Sequence, residues 1–293
     1  MDKNYKLGLT AIIGCNLVWG LLPIYWKMLI PIPSSVIIFY RIVLVGLCTF
    51  LACLKLYGFE RIKEPLKVKG NKLKFFIAGA IIAGNWSIYI WAVNAGYIVQ
   101  TSVGYYIQPL IVCLFGIVLF KEKLTKYKIA ALALAVIGVV VVIVHFGEAP
   151  VIALSLAVSF AVYGAFKKTF KVEALLSLFY ETMFLVPFAL AVIVYMEVTG
   201  KGAIGVGEPY QYGLLMLAGI MTAVPLGLFA SAAKNLPLVT VGVASYISPS
   251  MALLLGIFLY GEPFDKVQFA SFVLIWIGLA VFTYGERKEV KIG

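Results

Sequence analysis

The sequence predicts an all-α membrane protein of ten transmembrane helices, arranged as two inverted five-helix repeats. Three observations predict this fold: an apolar composition, ten long apolar stretches and a sequence repeat between the two halves. Of the 293 residues, 63% are apolar and 13% charged, and the mean hydropathy is +1.03. A soluble domain is about a quarter charged. We therefore expect lipid to cover most of the surface.

Ten stretches are long enough to cross a membrane, which takes about 20 apolar residues that pair their own backbone polar groups. They are 5–27, 34–54, 74–95, 98–120, 127–145, 150–167, 173–196, 211–233, 237–260 and 266–285. The first stretch has no small-x-small cleavage site, so we expect an uncleaved first helix. The longest predicted connections are 55–73, rich in Lys, and 197–210, rich in Gly.

The net charge of +11 could indicate a nucleic-acid partner. However, the basic residues form short clusters between the apolar stretches, and the aromatic residues lie mostly inside them, so we expect no nucleic-acid partner. With the N-terminus inside, the inner segments hold 20 of the 24 Lys and Arg residues and the outer segments hold three. Because basic residues are retained in the cytoplasm, the sequence predicts a bacterial inner-membrane protein with both termini cytoplasmic.

The two halves repeat each other at an offset of 140 residues. Residues 99–141 match 239–281 without a gap at sixteen of 43 positions, where chance gives about three. The matches include Tyr106/Tyr246, Ile107/Ile247, Pro109/Pro249, Gly116/Gly256, Glu122/Glu262 and Gly138/Gly278. Because five helices are an odd number, the second unit must insert inverted relative to the first. We predict units at 1–146 and 147–293.

Pro109 and Pro249 occupy equivalent positions in the fourth and ninth predicted helices. A proline within a membrane helix frees a backbone carbonyl, which is tolerated where it faces protein or a cavity. The two prolines are therefore either packing kinks or gating breaks that line a cavity. The polar and aromatic neighbours that would line it are Tyr106, Gln108, Tyr246 and Ser248.

The third predicted helix is dense in amide and indole groups, which are costly against lipid. They are Asn85, Trp86, Tyr89, Trp91 and Asn94. Asn85 and Tyr89 are one turn apart on one face. This face either forms hydrogen bonds between helices or contacts substrate. Trp91 and Asn94 alternatively belong to a belt of residues at the membrane interface.

Arg41 and Glu181 are the charges furthest from any predicted helix end, and they are 140 residues apart. An ionisable group inside the membrane is by default a functional hypothesis. Inversion places each about 10 Å from opposite faces of a hydrocarbon core about 30 Å thick, so depth does not establish a direct ion pair. Arg41 either snorkels to the outer interface or has a coupling or gating role. Glu181 is either a proton-sensitive coupling group or half of a latch with Arg41.

The sequence has few residues in the patterns that catalysis or metal binding requires. The four cysteines lack CxxC or Cys/His spacing, His145 is the single histidine, and no GxSxG, HExxH or Walker motif occurs. The sequence therefore predicts no enzyme, no cofactor and no metal site.

Four segments carry a family resemblance. They are Trp19-Gly20 with Pro23 and Tyr25-Trp26-Lys27, Asn85-Trp86 with Trp91-Ala92-Val93-Asn94, Ser102-Val103-Gly104-Tyr105-Tyr106-Ile107-Gln108-Pro109-Leu110, and Thr222-Ala223-Val224-Pro225-Leu226. With ten helices in inverted halves, the chain resembles the drug/metabolite transporter superfamily, and within its EamA-domain family the RarD subgroup. The resemblance implies an exporter or exchanger of amino acids and similar metabolites, with a label in that subgroup tied to chloramphenicol. Gln108 stands where the family pattern has Asn.

We therefore predict a permease that moves a small molecule by alternating access between the halves. The alternative is a passive channel or a membrane scaffold. Inverted-repeat carriers bind substrate between the repeats, so helices 1, 3, 4, 6, 8 and 9 are expected to surround a cavity. The predicted substrate contacts are Trp19, Asn85, Trp86, Tyr89, Tyr106, Gln108, Tyr163 and Tyr246.

The topology can be tested by labelling engineered cysteines with a membrane-impermeant maleimide in intact cells. Cysteines at positions 60–72 should stay unlabelled, because the basic asymmetry places this segment in the cytoplasm. A cysteine in 197–210 should label strongly and serves as the positive control. Strong labelling of 60–72 from outside would reverse the predicted orientation.

Overall fold

The computed structural model describes residues 3–94, 98–147, 151–261 and 266–292. Over these ranges the chain is helical, without a strand, and the helices are joined by short connections. Their bounds are α1 Lys3–Met28, α2 Ser34–Lys67, α3 Asn71–Asn94, α4 Ile98–Phe120, α5 Lys126–Phe146, α6 Val151–Thr169, α7 Ala174–Met183, α8 Val186–Val198, α9 Pro209–Asn235, α10 Leu238–Ala244, α11 Ile247–Tyr260 and α12 Lys266–Ile292.

These helices correspond to the ten predicted spans. Within the described ranges, eight spans are long and apolar enough to cross a membrane, with α10 and α11 counted as one, and the α7–α8 pair, bent by 49°, makes a ninth. The predicted span 74–95 corresponds to α3, a helix of 24 residues whose first turns carry Lys72 and Lys74. Large apolar side chains such as Val144, Phe188 and Phe258 are exposed on the outside of the bundle, as a lipid-facing surface requires.

Two boundaries differ from the prediction. Helix α2 continues well past residue 54, across a kink at Gly58, where φ is +72°. Glycine adopts this left-handed conformation without steric cost, so the Lys-rich connection 55–73 is largely a helical extension of α2. Helix α12 likewise continues past residue 285 to Ile292.

The two repeats exchange equivalent contacts. A Cβ at Gly138 on α5 would lie 2.9 Å from the carbonyl oxygen of Ser271 on α12, and a Cβ at Gly278 on α12 would lie 3.0 Å from that of Ala131 on α5. Gly138 and Gly278 are 140 residues apart, and so are Ala131 and Ser271. A contact that repeats with the partners exchanged is the mark of a local two-fold axis, here between α5 and α12.

Other helix pairs follow the same exchange. Helix α4 packs on α6, and its counterpart α11 packs on α1; α3 packs on α6, and its counterpart α9 packs on α1. Each repeat therefore packs its first, third and fourth helices across the junction, and these helices surround the middle of the bundle.

One end of the bundle, which we call the basic face, gathers the N-terminal end of α1 and the Lys-rich connections. Gly8 on α1 packs against Leu236 at the end of α9. Arg61 in the extension of α2 forms a 2.9 Å ion pair with Glu173, which precedes α7. The ring centroids of Tyr127 on α5 and Tyr284 on α12 are 5.5 Å apart.

Candidate functional site

Aromatic side chains from both repeats meet in the middle of the bundle. Trp19 on α1 packs against Phe160 on α6 and Phe229 on α9, with ring centroids 5.6 and 5.7 Å apart. Tyr163, one turn after Phe160, stacks on Phe229 at 6.4 Å. The predicted pair Trp19 and Tyr163 therefore lies in one cluster at the junction of the repeats, which we call the central aromatic cluster.

A buried polar cluster adjoins it towards the basic face. Lys167 Nζ lies 2.6 Å from Glu181 Oε1, and both side chains are at most 1% exposed. The Tyr163 hydroxyl donates to Glu181 Oε2 at 3.0 Å, and the Ser177 hydroxyl donates to Oε1 at 3.0 Å. Lys167 also donates to the Ser177 hydroxyl. Glu181 therefore pairs with Lys167 of its own repeat, and a latch between Glu181 and Arg41 does not exist in this conformation.

Glycine allows the neighbouring helices to approach this cluster. Gly79 on α3 packs directly against the backbone carbonyl of Glu181 on α7. Its counterpart Gly219 on α9 packs against the backbone of Leu44 on α2, where a Cβ would lie 2.6 Å from the carbonyl oxygen. Any larger residue at either position would push two helices apart.

Two tryptophan rings flank the guanidinium of Arg41. Its guanidinium lies over the Trp86 ring at 4.2 Å and near the Trp26 ring at 5.6 Å. Tyr89 and Tyr105, which pack on each other, lie near this charge. Its Nε is buried without a hydrogen-bond acceptor. We call the two tryptophan rings at Arg41 and the nearby Tyr89–Tyr105 pair the aromatic cage.

Helix α3 contacts the second repeat through Asn85 and carries more exposed aromatic side chains further along. Asn85 Nδ2 donates to the Leu156 carbonyl and to the Ser159 hydroxyl on α6, each at 2.9 Å, so it holds α3 against the second repeat. Tyr89 lies one turn further, with its ring centroid 6.1 Å from that of Tyr105. Trp91 is 57% exposed, as expected at an interface, and the side chain of Asn94 lies outside the described part.

The duplicated Tyr-Ile-x-Pro motif has a different local structure in each half. Pro109 lies inside the continuous helix α4. Pro249 lies in the first turn of α11, just after the span breaks at Ser245–Tyr246 between α10 and α11. The Tyr246 hydroxyl donates to the Tyr106 carbonyl at 3.0 Å, and the Tyr106 ring packs on Phe272. Gln108 is half-buried on α4.

Glu122 joins the repeats at the basic face. Its carboxylate accepts hydrogen bonds from the backbone N–H groups of Leu238 and Val239, at 2.7 and 2.9 Å, which begin α10. It also pairs with Lys168 at the end of α6, at 3.1 Å. A carboxylate is favoured at a helix N-terminus because it satisfies free N–H groups. One side chain of the first repeat thus holds two helices of the second. The counterpart Glu262 lies outside the described residues.

Comparison with known proteins adds to this geometry. The EamA-like transporter family matches the chain twice, at residues 6–144 and 149–284. This chain belongs to the EamA-like transporter family. The two matches show that the same domain occurs twice in the chain. The family is one of membrane transporters, not of enzymes, so the chain is a multi-pass transporter.

Three relatives match the chain over nearly its full length. The chain is 40% identical to the uncharacterized transporter YojE of Bacillus subtilis, covering 97% of this chain and 95% of the relative. It is 33% identical to the protein RarD of Escherichia coli, covering 99% of each. At 26% identity it matches a chloramphenicol-sensitive protein RarD of Pseudomonas aeruginosa over 98% of each chain. A crystal structure with 19% identity superimposes with a TM-score of 0.73 over 98% of this chain, which shows the shared fold.

Sequence reasoning missed Lys167, Glu122, Trp26 and Tyr105 as members of this transporter's polar and aromatic groups. Lys167 ends the predicted span 150–167 and is followed by Lys168 and Lys171, so the sequence does not distinguish it from the basic connection. The available signal was spacing: Tyr163 and Lys167 are four residues apart, as are Ser177 and Glu181, so each pair shares one helix face. Trp26 was noted only within a family motif, although it lies two turns after Trp19.

Breaking the Lys167–Glu181 pair should destabilise the protein strongly, because each single change leaves a polar or charged partner buried without its counterpart. Lys167→Met should cost about 3–5 kcal/mol. The double variant Lys167→Met with Glu181→Gln should recover much of this loss, since Tyr163 and Ser177 can donate to the amide oxygen. Thermal unfolding of the purified protein, followed by tryptophan fluorescence, measures both.

The matched control is the exposed pair Arg61–Glu173, whose side chains are 56% and 41% exposed. Arg61→Met should change stability by no more than about 1 kcal/mol. Equal effects of Lys167→Met and Arg61→Met would show that burial of the Lys167–Glu181 pair contributes nothing.

Proposed function

We propose that this chain is a secondary transporter that moves a small metabolite, an amino acid-like compound or a drug by alternating access, in export or exchange. It would act in a bacterial inner membrane, with the basic face and both termini in the cytoplasm. The observation that supports this proposal most is the set of polar contacts from Glu122 to α10 and to Lys168, which we call the closure by Glu122. These contacts join the two repeats and can be broken without disrupting an apolar core. Such a closure suits a gate that opens and recloses in each cycle.

A passive channel fits the described residues less well. A channel needs a continuous polar path, but the middle of the bundle is filled by the central aromatic cluster, in which Phe229 is fully buried. A scaffold would have no need for polar bonds between repeats at one face. The carrier is therefore the stronger proposal.

The moving units in this proposal are 1–146 and 147–293, in agreement with the two family matches. Substrate would bind between them, in contact with residues of the central aromatic cluster and its surroundings. The proposed contacts are Trp19, Asn85, Trp86, Tyr89, Tyr106, Gln108, Tyr163 and Tyr246. Pro109 and Pro249 would permit the helices around them to bend, and the break at Ser245–Tyr246 supports this role for the ninth span.

Proton coupling is proposed at Glu181. Its charged neighbour is Lys167, and Tyr163, Ser177 and the backbone of Gly79 on α3 complete its surroundings. Protonation of the carboxylate would remove the attraction that holds Lys167, so α6 and α7 could separate. The pair thus offers one route by which pH could act on the cycle.

Glu181→Gln should therefore flatten the pH dependence of transport, since its amide does not ionise. The measurement is the efflux of a preloaded radiolabelled amino-acid mixture from proteoliposomes between pH 5.5 and 8.5, beside the parent protein. The Lys167→Met, Glu181→Gln double variant controls for lost stability. A variant that keeps both the rate and the pH profile would remove Glu181 from the coupling mechanism.

Opening of the proposed gate can be followed at Cys113, which is 1% exposed on α4 and packs against α10, with its Sγ 3.4 Å from the Val239 carbonyl. In a background with Cys15, Cys48 and Cys53 changed to Ala, Glu122→Ala should accelerate maleimide labelling of Cys113 about 10- to 100-fold, the effect of losing about 1.5–3 kcal/mol of charge-assisted hydrogen bonding. The assay uses inside-out vesicles.

Glu60→Ala is the control, because Glu60 lies on the same face with an 86% exposed side chain. It should leave the labelling rate unchanged. If Glu122→Ala also leaves Cys113 protected while the protein remains folded, the closure by Glu122 is not a gate.

A further inference from the structure

Arg41 is a cation without an anion. Within the described part of the chain, its guanidinium has no carboxylate partner and no hydrogen-bond acceptor, and its Nε is buried and unsatisfied. Lys167, whose side chain is buried, has a carboxylate and a hydroxyl within hydrogen-bond distance. A charge inside a membrane protein is costly unless a partner compensates it, so the contrast between these two cations needs an explanation.

Aromatic rings account for only part of the compensation. The Trp86 ring at 4.2 Å and the Trp26 ring at 5.6 Å attract the guanidinium through their faces. Ring faces leave the N–H groups of the guanidinium without acceptors. The planar fork of an Arg side chain fits the two oxygens of a carboxylate, and nothing in its described surroundings supplies them.

The aromatic cage adjoins the central aromatic cluster. Tyr89 and Tyr105 are 38% and 47% exposed, and both lie near the charge of Arg41. Trp86 packs against the same apolar cluster as Trp19 and Tyr163. A ligand held at Arg41 would therefore extend its remaining atoms along aromatic side chains towards the junction of the repeats.

We propose that Arg41 binds the carboxylate of the transported compound, with Trp26, Trp86, Tyr89 and Tyr105 enclosing it. The substrate class is then a small organic carboxylate, either an amino acid or a monocarboxylic acid, with an apolar or aromatic body. The single guanidinium, with no second cation among its described neighbours, matches one negative charge and not a phosphate dianion. This inference rests on the proposed transport function and specifies its substrate.

Matched ligand pairs provide the test. Each pair differs only in the charged group: L-phenylalanine against L-phenylalaninamide, and 3-phenylpropionate against 3-phenylpropionamide. Binding to the purified full-length protein in detergent is followed by the intrinsic fluorescence of its five tryptophans, which include Trp26 and Trp86, and by thermal stabilisation. At least one carboxylate should bind saturably and its amide about tenfold or more weakly, as the loss of a charge-assisted bidentate contact requires.

Variants of Arg41 separate charge from geometry. Arg41→Gln should abolish the preference for carboxylates, and Arg41→Lys should retain part of it, because a lysine keeps the charge but loses the fork. Arg61→Gln, at the exposed basic face, should leave the preference unchanged. The ligand pairs also test the parent protein alone, so poor folding of an Arg41 variant does not prevent a decision.

Three results would overturn the proposal. They are equal binding of carboxylate and amide, tighter binding of inorganic phosphate than of either carboxylate, and no binding of either carboxylate at about 10 mM, which is about the weakest affinity useful to a carrier. The Cys113 experiment distinguishes this failure from failure of the transport proposal. A protein that opens at Glu122 without preferring carboxylates refutes the Arg41 site alone. A protein that prefers carboxylates but keeps Cys113 protected in Glu122→Ala refutes the gate alone.

Discussion

The hydrocarbon core of a membrane offers no hydrogen bonds, so this protein must satisfy its internal polar groups from within. That constraint accounts for the pairing of Glu181 with Lys167, Ser177 and Tyr163, and for the bonds from Asn85 to α6. Without a hydrophobic force between helices in lipid, close backbone contacts hold the bundle together. Gly79, Gly138 and their counterparts in the second repeat provide those contacts.

The two repeats share a framework but differ in their charges. The equivalent glycines keep equivalent contacts, because a helix crossing that needs a glycine in one half needs it in the other. Arg41 and Glu181 occupy equivalent positions and have opposite charges. Glu181 is compensated by its own repeat, whereas Arg41 is surrounded by rings. The framework has therefore remained symmetric while the polar groups have diverged.

Much of the fold could be predicted from the sequence, because apolar length and repeat offset are local or linear properties. The spans, the repeat and the family resemblance all depend on them. The bend between α7 and α8, the helical extension after Gly58 and the break at Ser245–Tyr246 could not be predicted, because tertiary packing determines them. Pro249 marked the region of the break but not its position, and the equivalent Pro109 lies in an unbroken helix.

The residue types of the candidate site could be predicted, but the contacts between its side chains could not. Aromatic and amide side chains in the membrane indicated an internal site, and Trp19 with Tyr163 does lie at the junction of the repeats. Which cation meets which carboxylate depends on helix rotation, and a sequence does not fix that rotation. Lys167 lies one turn after Tyr163 and so turns inward, whereas Lys168, the next residue, turns to Glu122.

Those adjacent lysines connect the two polar groups of the basic face. Lys167 holds Glu181 within the second repeat, and Lys168 holds Glu122 of the first repeat, from the same turn of α6. Movement of this turn would therefore strain both ion pairs together. If Glu122 releases α10 when the gate opens, α6 is the element through which that release would reach Glu181. The proposed coupling group and the proposed gate would need such a shared element, and this single turn of α6 contacts both.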